Sequence, residues 1–184
     1  MVLGATIYRA ELDVSDLDRG YYATHSLTVA RHPSETEGRM MLRLLAFCLW
    51  GSATLKFIDG LSKDGEPALM DVDDTGWICL WVELGVPTLK QVRKAAGKSE
   101  RVVVLSYDED RLTPWWTANR GDFEKIGKLS VYSVADAEFE KLAGLCRRHM
   151  RLAVTVQDRI VYVADDLGRN IELNLHVLKT GEGA

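Results

Sequence analysis

The chain has no disulfide framework, no histidine cluster, no membrane-length apolar run and no excess of basic residues. Each absence removes a class of protein. Its three cysteines, at 48, 79 and 146, are odd in number, widely spaced and set in apolar segments. This argues against paired-cysteine scaffolds and zinc spacing, and reads as reduced thiols in a core. The histidines at 25, 32, 149 and 176 share no local context and form no His-x-x-x-His pair, which argues against a histidine-rich metal site. No apolar stretch reaches the ~20 residues that span a bilayer, and the first residues lack the basic-then-apolar layout of a signal peptide. No membrane partner is expected, and the default compartment is the cytoplasm. With a formal charge of −4 and a pI near 5.6, the whole chain lacks the basic footprint of broad nucleic-acid binding. A local basic patch is compatible with that balance.

What is present suits an ordinary globular protein. The 184 residues, 47% hydrophobic and 27% charged, suffice for one well-buried core. No repeat, low-complexity tract or long linker breaks the chain, so residues 1–184 read as a single mixed α/β domain with flanking helices. Alternation predicts an opening pair of antiparallel strands over 5–14 and 21–30. Ser34 and Glu37 have the spacing of a capping box. Met40, Met41, Leu44, Leu45, Phe47 and Cys48 then repeat at helical spacing, with Arg39 and Arg43 on the other side, which predicts an amphipathic helix ending near Gly51. A short apolar piece at 54–58 precedes the polar loop Ser62–Glu66. Strands are expected at 67–72, 77–84, 101–107, 129–134, 151–157, 160–163 and 170–178. Helices are expected at 88–97, 110–119 and 135–148, the first with Thr88 as a candidate cap. The β-branched run 101–107 suits a central, two-sided strand.

The most informative residue is Glu83, in the run Trp77-Ile78-Cys79-Leu80-Trp81-Val82-Glu83-Leu84. Strand alternation gives Ile78, Leu80, Val82 and Leu84 one apolar face and puts Trp77, Cys79, Trp81 and Glu83 on the other. A carboxylate taken out of water needs company: a metal ion, a lysine or arginine, or a cleft that admits water. A hairpin turning near 74–75 brings Glu83 opposite residue 66 or 67, so Glu66 becomes its candidate partner. Two carboxylates with waters and substrate phosphates are the usual shell of a hard divalent ion. Asp74, nine residues before Glu83, is the secondary candidate, ranked lower because a turn residue sits at the hairpin's far end. Glu35, in the first turn of the capped helix, is a further one.

From Ser34 onward the order is helix, strand, two-stranded hairpin, helix, strand, which resembles the common core of the PD-(D/E)XK nuclease superfamily. That resemblance implies a restriction-endonuclease-like core with additional antiparallel strands, an acid on the second core strand and an acid-x-Lys on the third. Here the matching positions are Glu66, followed by Pro67, and Glu83-Leu84-Gly85. Gly85 stands where the pattern has lysine. Some superfamily members take the lysine from the following helix, which nominates Lys94 over Lys90, with Gln91 a lesser candidate. A closer resemblance covers the whole chain. Ala30-Arg31-His32-Pro33-Ser34-Glu35-Thr36, Arg39-Met40-Met41-Leu42-Arg43-Leu44-Leu45-Ala46, Glu66-Pro67, Leu80-Trp81-Val82-Glu83-Leu84-Gly85, Trp115-Trp116, Leu129-Ser130-Val131 and Val154-Thr155-Val156-Gln157-Asp158 are similar to the bacterial YaeQ family. This implies a compact single-domain variation of the nuclease motif. The family pattern admits an aspartate where this chain has Cys79.

Two function classes follow. One is a metal-dependent phosphodiesterase (a nuclease), with Glu66 and Glu83 holding Mg²⁺ or Mn²⁺, Lys94 assisting water, nucleic acid as partner and no organic cofactor. The other is a catalytically inactive descendant of the same fold serving as a binding or regulatory module. Plainer readings stand beside the sharp ones. Glu83 also fits a structural ion pair with Lys94, Arg93 or Arg101, and Lys94 fits a solvated helix lysine. Glu35 and Glu37 suit the positive end of a helix dipole and its cap. Trp115 and Trp116 suit core packing, and Arg31-His32-Pro33 a solvated turn.

Overall fold

The computed structural model describes residues 4–58 and 65–184. Residues 62–64 of the expected polar loop lie outside the described residues, as do the first three of the chain. In chain order the elements are β1 (Thr6–Asp16), β2 (Tyr21–Arg31), α1 (Glu37–Trp50), β3 (Leu55–Phe57), β4 (Leu69–Val72), β5 (Ile78–Leu84), α2 (Leu89–Lys98), β6 (Ser99–Ser106), α3 (Glu109–Phe123), β7 (Leu129–Ser133), α4 (Asp136–Ala143), β8 (His149–Gln157), β9 (Ile160–Asp165), β10 (Asn170–Asn174) and β11 (His176–Lys179). They fall into two compact units, one of residues 4–49 and 137–175, the other of 50–58, 65–136 and 176–184.

The first unit holds a five-stranded sheet in the order β10-β9-β8-β1-β2. The β1–β2 hairpin pairs Thr6 with Arg31 and Asp16 with Tyr21, and β1 runs parallel to β8. Period-two alternation sets its faces: Tyr8, Ala10, Leu12 and Val14 are buried while Ile7, Arg9, Glu11 and Asp13 are not. The Asp18 carboxylate accepts the amides of Asp158 and Arg159, tying the turn after β1 to the turn after β8.

Helix α1 starts later, and is less amphipathic, than its sequence suggests. Thr36 Oγ1, not Ser34, accepts the Arg39 amide at its first turn. Glu37 accepts the Tyr8 hydroxyl at 3.0 Å instead of closing a capping box. Every residue from Met40 to Leu49 is buried, Arg43 included. A helix apolar around its whole circumference is one enclosed on all sides, and Arg43 is tolerated there because its charge is matched by Glu35. The helix expected to reach 148 stops at Ala143. Gly144, Leu145 and Cys146 form turns back onto 140–143, and β8 starts at His149.

The second unit holds a six-stranded sheet in the order β11-β7-β6-β5-β4-β3. β3, β4 and β5 are antiparallel neighbours, whereas β5, β6 and β7 are parallel, each pair linked by a helix. β6 is the central strand expected, with Val102 to Leu105 all buried. Trp81, Val92, Ala95, Val102, Val104, Phe123, Leu129 and Val131 form the core between this sheet and helices α2 and α3, and Trp115 and Trp116 pack onto it. The last expected strand is two strands. It breaks at Leu175, leaving β10 in the first sheet and β11 in the second.

The cysteines are free thiols. Burial pushes Cys48 up to about 12 and Cys146 up to about 11. Cys48 is buried, whereas Cys79 and Cys146 keep partial exposure.

Candidate site on the six-stranded sheet

The β4–β5 ladder fixes what faces Glu83. Leu69 pairs with Val82, Met70 with Trp81 and Asp71 with Leu80. The Ala68 amide also donates to the Val82 carbonyl at 2.8 Å, so Ala68 and Leu69 both face Val82, and the next position, Pro67, falls opposite Glu83. The expected partner was residue 66 or 67. The register also shifts at the other end of the hairpin, between Asp71 and Val72, where Val72 pairs with Ile78. Two residues of β5 there oppose one of β4, and such a bulge resets the alternation. Ile78 accordingly packs against the Trp81 core cluster rather than joining Leu80 and Val82.

Glu83 is half-buried, and its Oε1 accepts the Trp81 indole N–H at 2.8 Å. Trp81 is 4% exposed and anchored in the core, so it holds the carboxylate from a rigid base. The two side chains are two residues apart on one strand face. The signal was present in the sequence, since both were assigned to that face. The search for partners overlooked the indole.

Glu66 is exposed, three residues before β4, between Gly65 and the buried Pro67. Lys94, on the exposed side of α2, donates from Nζ to the Gly65 carbonyl at 3.1 Å. The Lys94 ammonium thus lies against the peptide group adjoining Glu66. Lys90 is exposed on the same helix. Gln91 is committed to capping: its Oε1 accepts the Thr88 amide, and its own amide donates to Thr88 Oγ1.

Gly85 has φ +87°, and a Cβ there would meet nothing closer than Tyr107 at 3.8 Å. Glycine is required for backbone conformation rather than for space. The turn is held by the Gly85 amide on the Leu105 carbonyl and by the Ser106 hydroxyl donating to the Gly85 carbonyl. A lysine in the third position of an acid-x-Lys run would be strained there.

The other candidates lie apart. Asp74 is exposed in the β4–β5 turn, at the opposite end of β5 from Glu83, roughly 25 Å along the strand. Its neighbour Asp73 organises that turn by accepting the Thr75 hydroxyl and the amides of Thr75 and Trp77. The Thr75 hydroxyl bond first, then the backbone amides, holds the Asp73 carboxyl below its ordinary range. Cys79 has its thiol raised by burial and by the nearby Asp73, Asp71 and Glu100. Glu35 belongs to the first unit and is 4% exposed. Its carboxylate accepts Arg39 Nη1 at 2.8 Å, Arg43 Nε at 2.8 Å and Arg43 Nη2 at 2.7 Å.

Together these features define an α/β protein with mixed sheets and four helices among the described residues, carrying a half-buried strand carboxylate beside a lysine-bearing helix. The family model described as "YaeQ protein" matches residues 1–174. The chain is 39% identical to the YaeQ protein of Escherichia coli K12 over 175 residues, spanning 95% of this chain and 96% of that one. The crystal structure of the YaeQ protein from Xanthomonas axonopodis pv. citri superposes with a TM-score of 0.92 at 43% identity, covering 96% of this chain and 99% of that one. The YaeQ protein from Pseudomonas syringae gives 0.90 at 34% identity, covering 97% and 98%. The chain belongs to the YaeQ family. Among the described residues, no helix is long and apolar enough to cross a membrane.

Proposed function

We infer that the six-stranded sheet carries a divalent-cation-dependent site for phosphodiester hydrolysis, with Glu66 and Glu83 as protein ligands and Lys94 as the group that assists water. One observation carries this reading: three elements converge on residues 65–68. Lys94 holds the Gly65 carbonyl, Glu66 follows it, and the Ala68 amide is tied to the carbonyl of Val82, the residue before Glu83. The succession α1, β3, antiparallel β4–β5, α2, and β6 parallel to β5 supports it. This is the order that the resemblance to PD-(D/E)XK nucleases implies, with an acid at the second and third core strands and a lysine supplied by the next helix.

The donors suit a hard cation, being carboxylate oxygens rather than thiolate or imidazole. Among the described residues, no three His, Cys, Asp or Glu side chains are grouped to hold an ion. The shell would therefore be two carboxylates completed by water, as Mg²⁺ or Mn²⁺ accepts and structural zinc does not. When bound, the ion supplies charge stabilisation and a more acidic water. The Trp81 bond orients Glu83, and in this reading the Lys94 ammonium balances negative charge as it develops. Helix α2 carries Lys90, Arg93, Lys94 and Lys98 and no acid, in a chain of net charge −4. That is a local basic face suited to a phosphodiester polyanion such as a nucleic acid.

A second reading, a non-catalytic binding or regulatory module, is favoured by Gly85, whose left-handed backbone leaves no lysine two residues beyond Glu83. Titration calorimetry with Mn²⁺ discriminates. Heat of binding is expected for the wild type and not for Glu83→Gln, with DNA cleavage dependent on both metal and Glu83. If neither protein binds Mn²⁺ at millimolar concentration, the hydrolase reading fails. Binding without cleavage of single- or double-stranded DNA supports the module instead.

A further inference from the structure

The five-stranded sheet ends on an edge of the kind folded proteins usually blunt. β2 is its terminal strand, and among the described residues no strand pairs with its outer side. It is eleven residues long, and from Tyr21 to Ala30 it contains no charged residue, proline or glycine. The other three sheet edges differ. β3 has three residues and carries Lys56, and β10 has five and carries Glu172. β11 has four, with a register shift between Val177 and Lys179. Shortness, charge and bulges are the devices that stop edge-to-edge pairing, and β2 has none of them before its last residue, Arg31.

The orientation of its outer groups follows from the ladder. The Arg9 amide donates to the Arg148 carbonyl, on the β8 side of β1, so Arg9 and its β2 partner Thr28 form a non-hydrogen-bonded pair. The N–H and C=O of Thr28 therefore point away from β1. By alternation those of Tyr22, Thr24, Ser26 and Ala30 do the same. The Ala30 carbonyl accepts Arg43 Nη2 at 2.8 Å, which agrees with this phase and occupies the strand's last outward carbonyl.

We propose that the β2 edge pairs with the β2 edge of a second copy of this chain, antiparallel about a twofold axis. Ser26 is the midpoint of Tyr21–Arg31 and is one of the outward-pointing residues, so the register of full overlap is also a hydrogen-bonded register. It sets Ser26 against its own copy, Thr24 against Thr28 and Tyr22 against Ala30 on one face. On the other face, Tyr21 meets Arg31, Ala23 meets Val29 and His25 meets Leu27. Small side chains face larger ones, and an aromatic ring faces a guanidinium. No like charges fall opposite each other, although two copies of net charge −4 repel at a distance. Tyr21, Ala23, His25 and Leu27 are only half-buried on the inner face, leaving apolar surface for a partner to cover. An unrelated strand would have to match this pattern by chance, whereas a second copy matches it by symmetry.

Sedimentation equilibrium of the full chain tests the proposal, together with concentration-dependent amide exchange. The wild type is expected to approach twice its 20.6 kDa mass as concentration rises. The amides of Tyr22, Thr24, Ser26 and Thr28 should gain protection in parallel. Ser26→Lys changes an exposed side chain and opposes two like charges at the axis, so it should raise the dimer dissociation constant at least about tenfold. An unchanged circular dichroism melt for that variant would show that its fold is intact. A chain that stays monomeric at all concentrations overturns the proposal. So does a dimer that Ser26→Lys leaves intact, or one whose outward β2 amides exchange as fast as in the monomer.

Discussion

Glu35 and Glu83 are both acids set among apolar neighbours, yet the two regions hold them in opposite ways. Glu35 is enclosed and receives three guanidinium hydrogen bonds from Arg39 and Arg43. Glu83 is half-buried and is steadied by a neutral indole. A buried carboxylate matched by arginines is a structural solution, because removing either partner strands a charge. Glu83 takes an indole bond from its own strand face and keeps part of its surface open, near a segment that a lysine also reaches, which suits a carboxylate placed for chemistry. The contrast teaches that an acid among apolar neighbours does not by itself mark a site. How far the carboxylate stays open to a ligand does.

The largest expected effect tests the structural half. Glu35→Ala leaves Arg43 buried without its counter-charge, and urea unfolding should show a loss of about 3–5 kcal/mol. A loss below about 1 kcal/mol would remove the distinction. Trp81→Phe keeps most of the buried ring and deletes the donor to Glu83, for an expected cost of about 1.5–3 kcal/mol. Glu83→Gln retains an acceptor for the indole and should cost less than about 1.5 kcal/mol in the same measurement, while abolishing Mn²⁺ binding. If Glu83→Gln destabilises as much as Glu35→Ala, the two acids are alike and the site reading loses its main support.

Smaller effects sharpen the picture. Gly85→Lys places a side chain on a backbone with φ +87° and should cost about 1–2 kcal/mol by thermal or urea unfolding. No loss would mean that the turn relaxes and that Gly85 is not conformationally required. Asp165 offers a counterpart to Glu35 whose arginine partner, Arg169, is exposed. Burial alone would raise its carboxyl, but hydrogen bonds from the Arg169 amide and guanidinium outweigh that and lower it. A depressed folded value stabilises the fold above the ordinary carboxyl value of 3.8, and that contribution fades as pH falls through the lower folded value. The melting-temperature gap between wild type and Asp165→Asn should therefore hold steady near neutrality and narrow below pH 3.8. A gap independent of pH would show that Arg169 contributes packing rather than charge.

Much of the fold was legible because alternation and helical spacing are local. The opening hairpin, the succession of elements from α1 to β7 and the two-sided β6 can all be read along the chain. Four features cannot. The split at Leu175 is hidden because apolar and polar residues keep alternating across it. The early stop of α4 is hidden because Leu145 continues the apolar pattern. The register shifts at the two ends of β4 leave no compositional mark. Arg43 looked solvent-facing because its counter-charge lies eight residues away, before the helix begins. At the candidate site, Glu83, Glu66 and Lys94 were all nominated by the sequence, but the indole that steadies Glu83 was not.

The sequence by itself determined which segments alternate, where Thr88 caps a helix, where an acid interrupts an apolar strand, and the family to which the chain belongs. All of these rest on neighbours within a few residues or on strings that recur between relatives. Tertiary structure alone decided that arginines enclose Glu35, that the Trp81 indole reaches Glu83, and that Lys94 reaches the segment beside Glu66. It also decided that an eleven-residue strand, uncharged up to its last residue, Arg31, lies at a sheet edge. The physical reason is the same in each case: compensation of charge and pairing of strands are made across tens of residues, by groups whose meeting depends on register and packing rather than on sequence spacing.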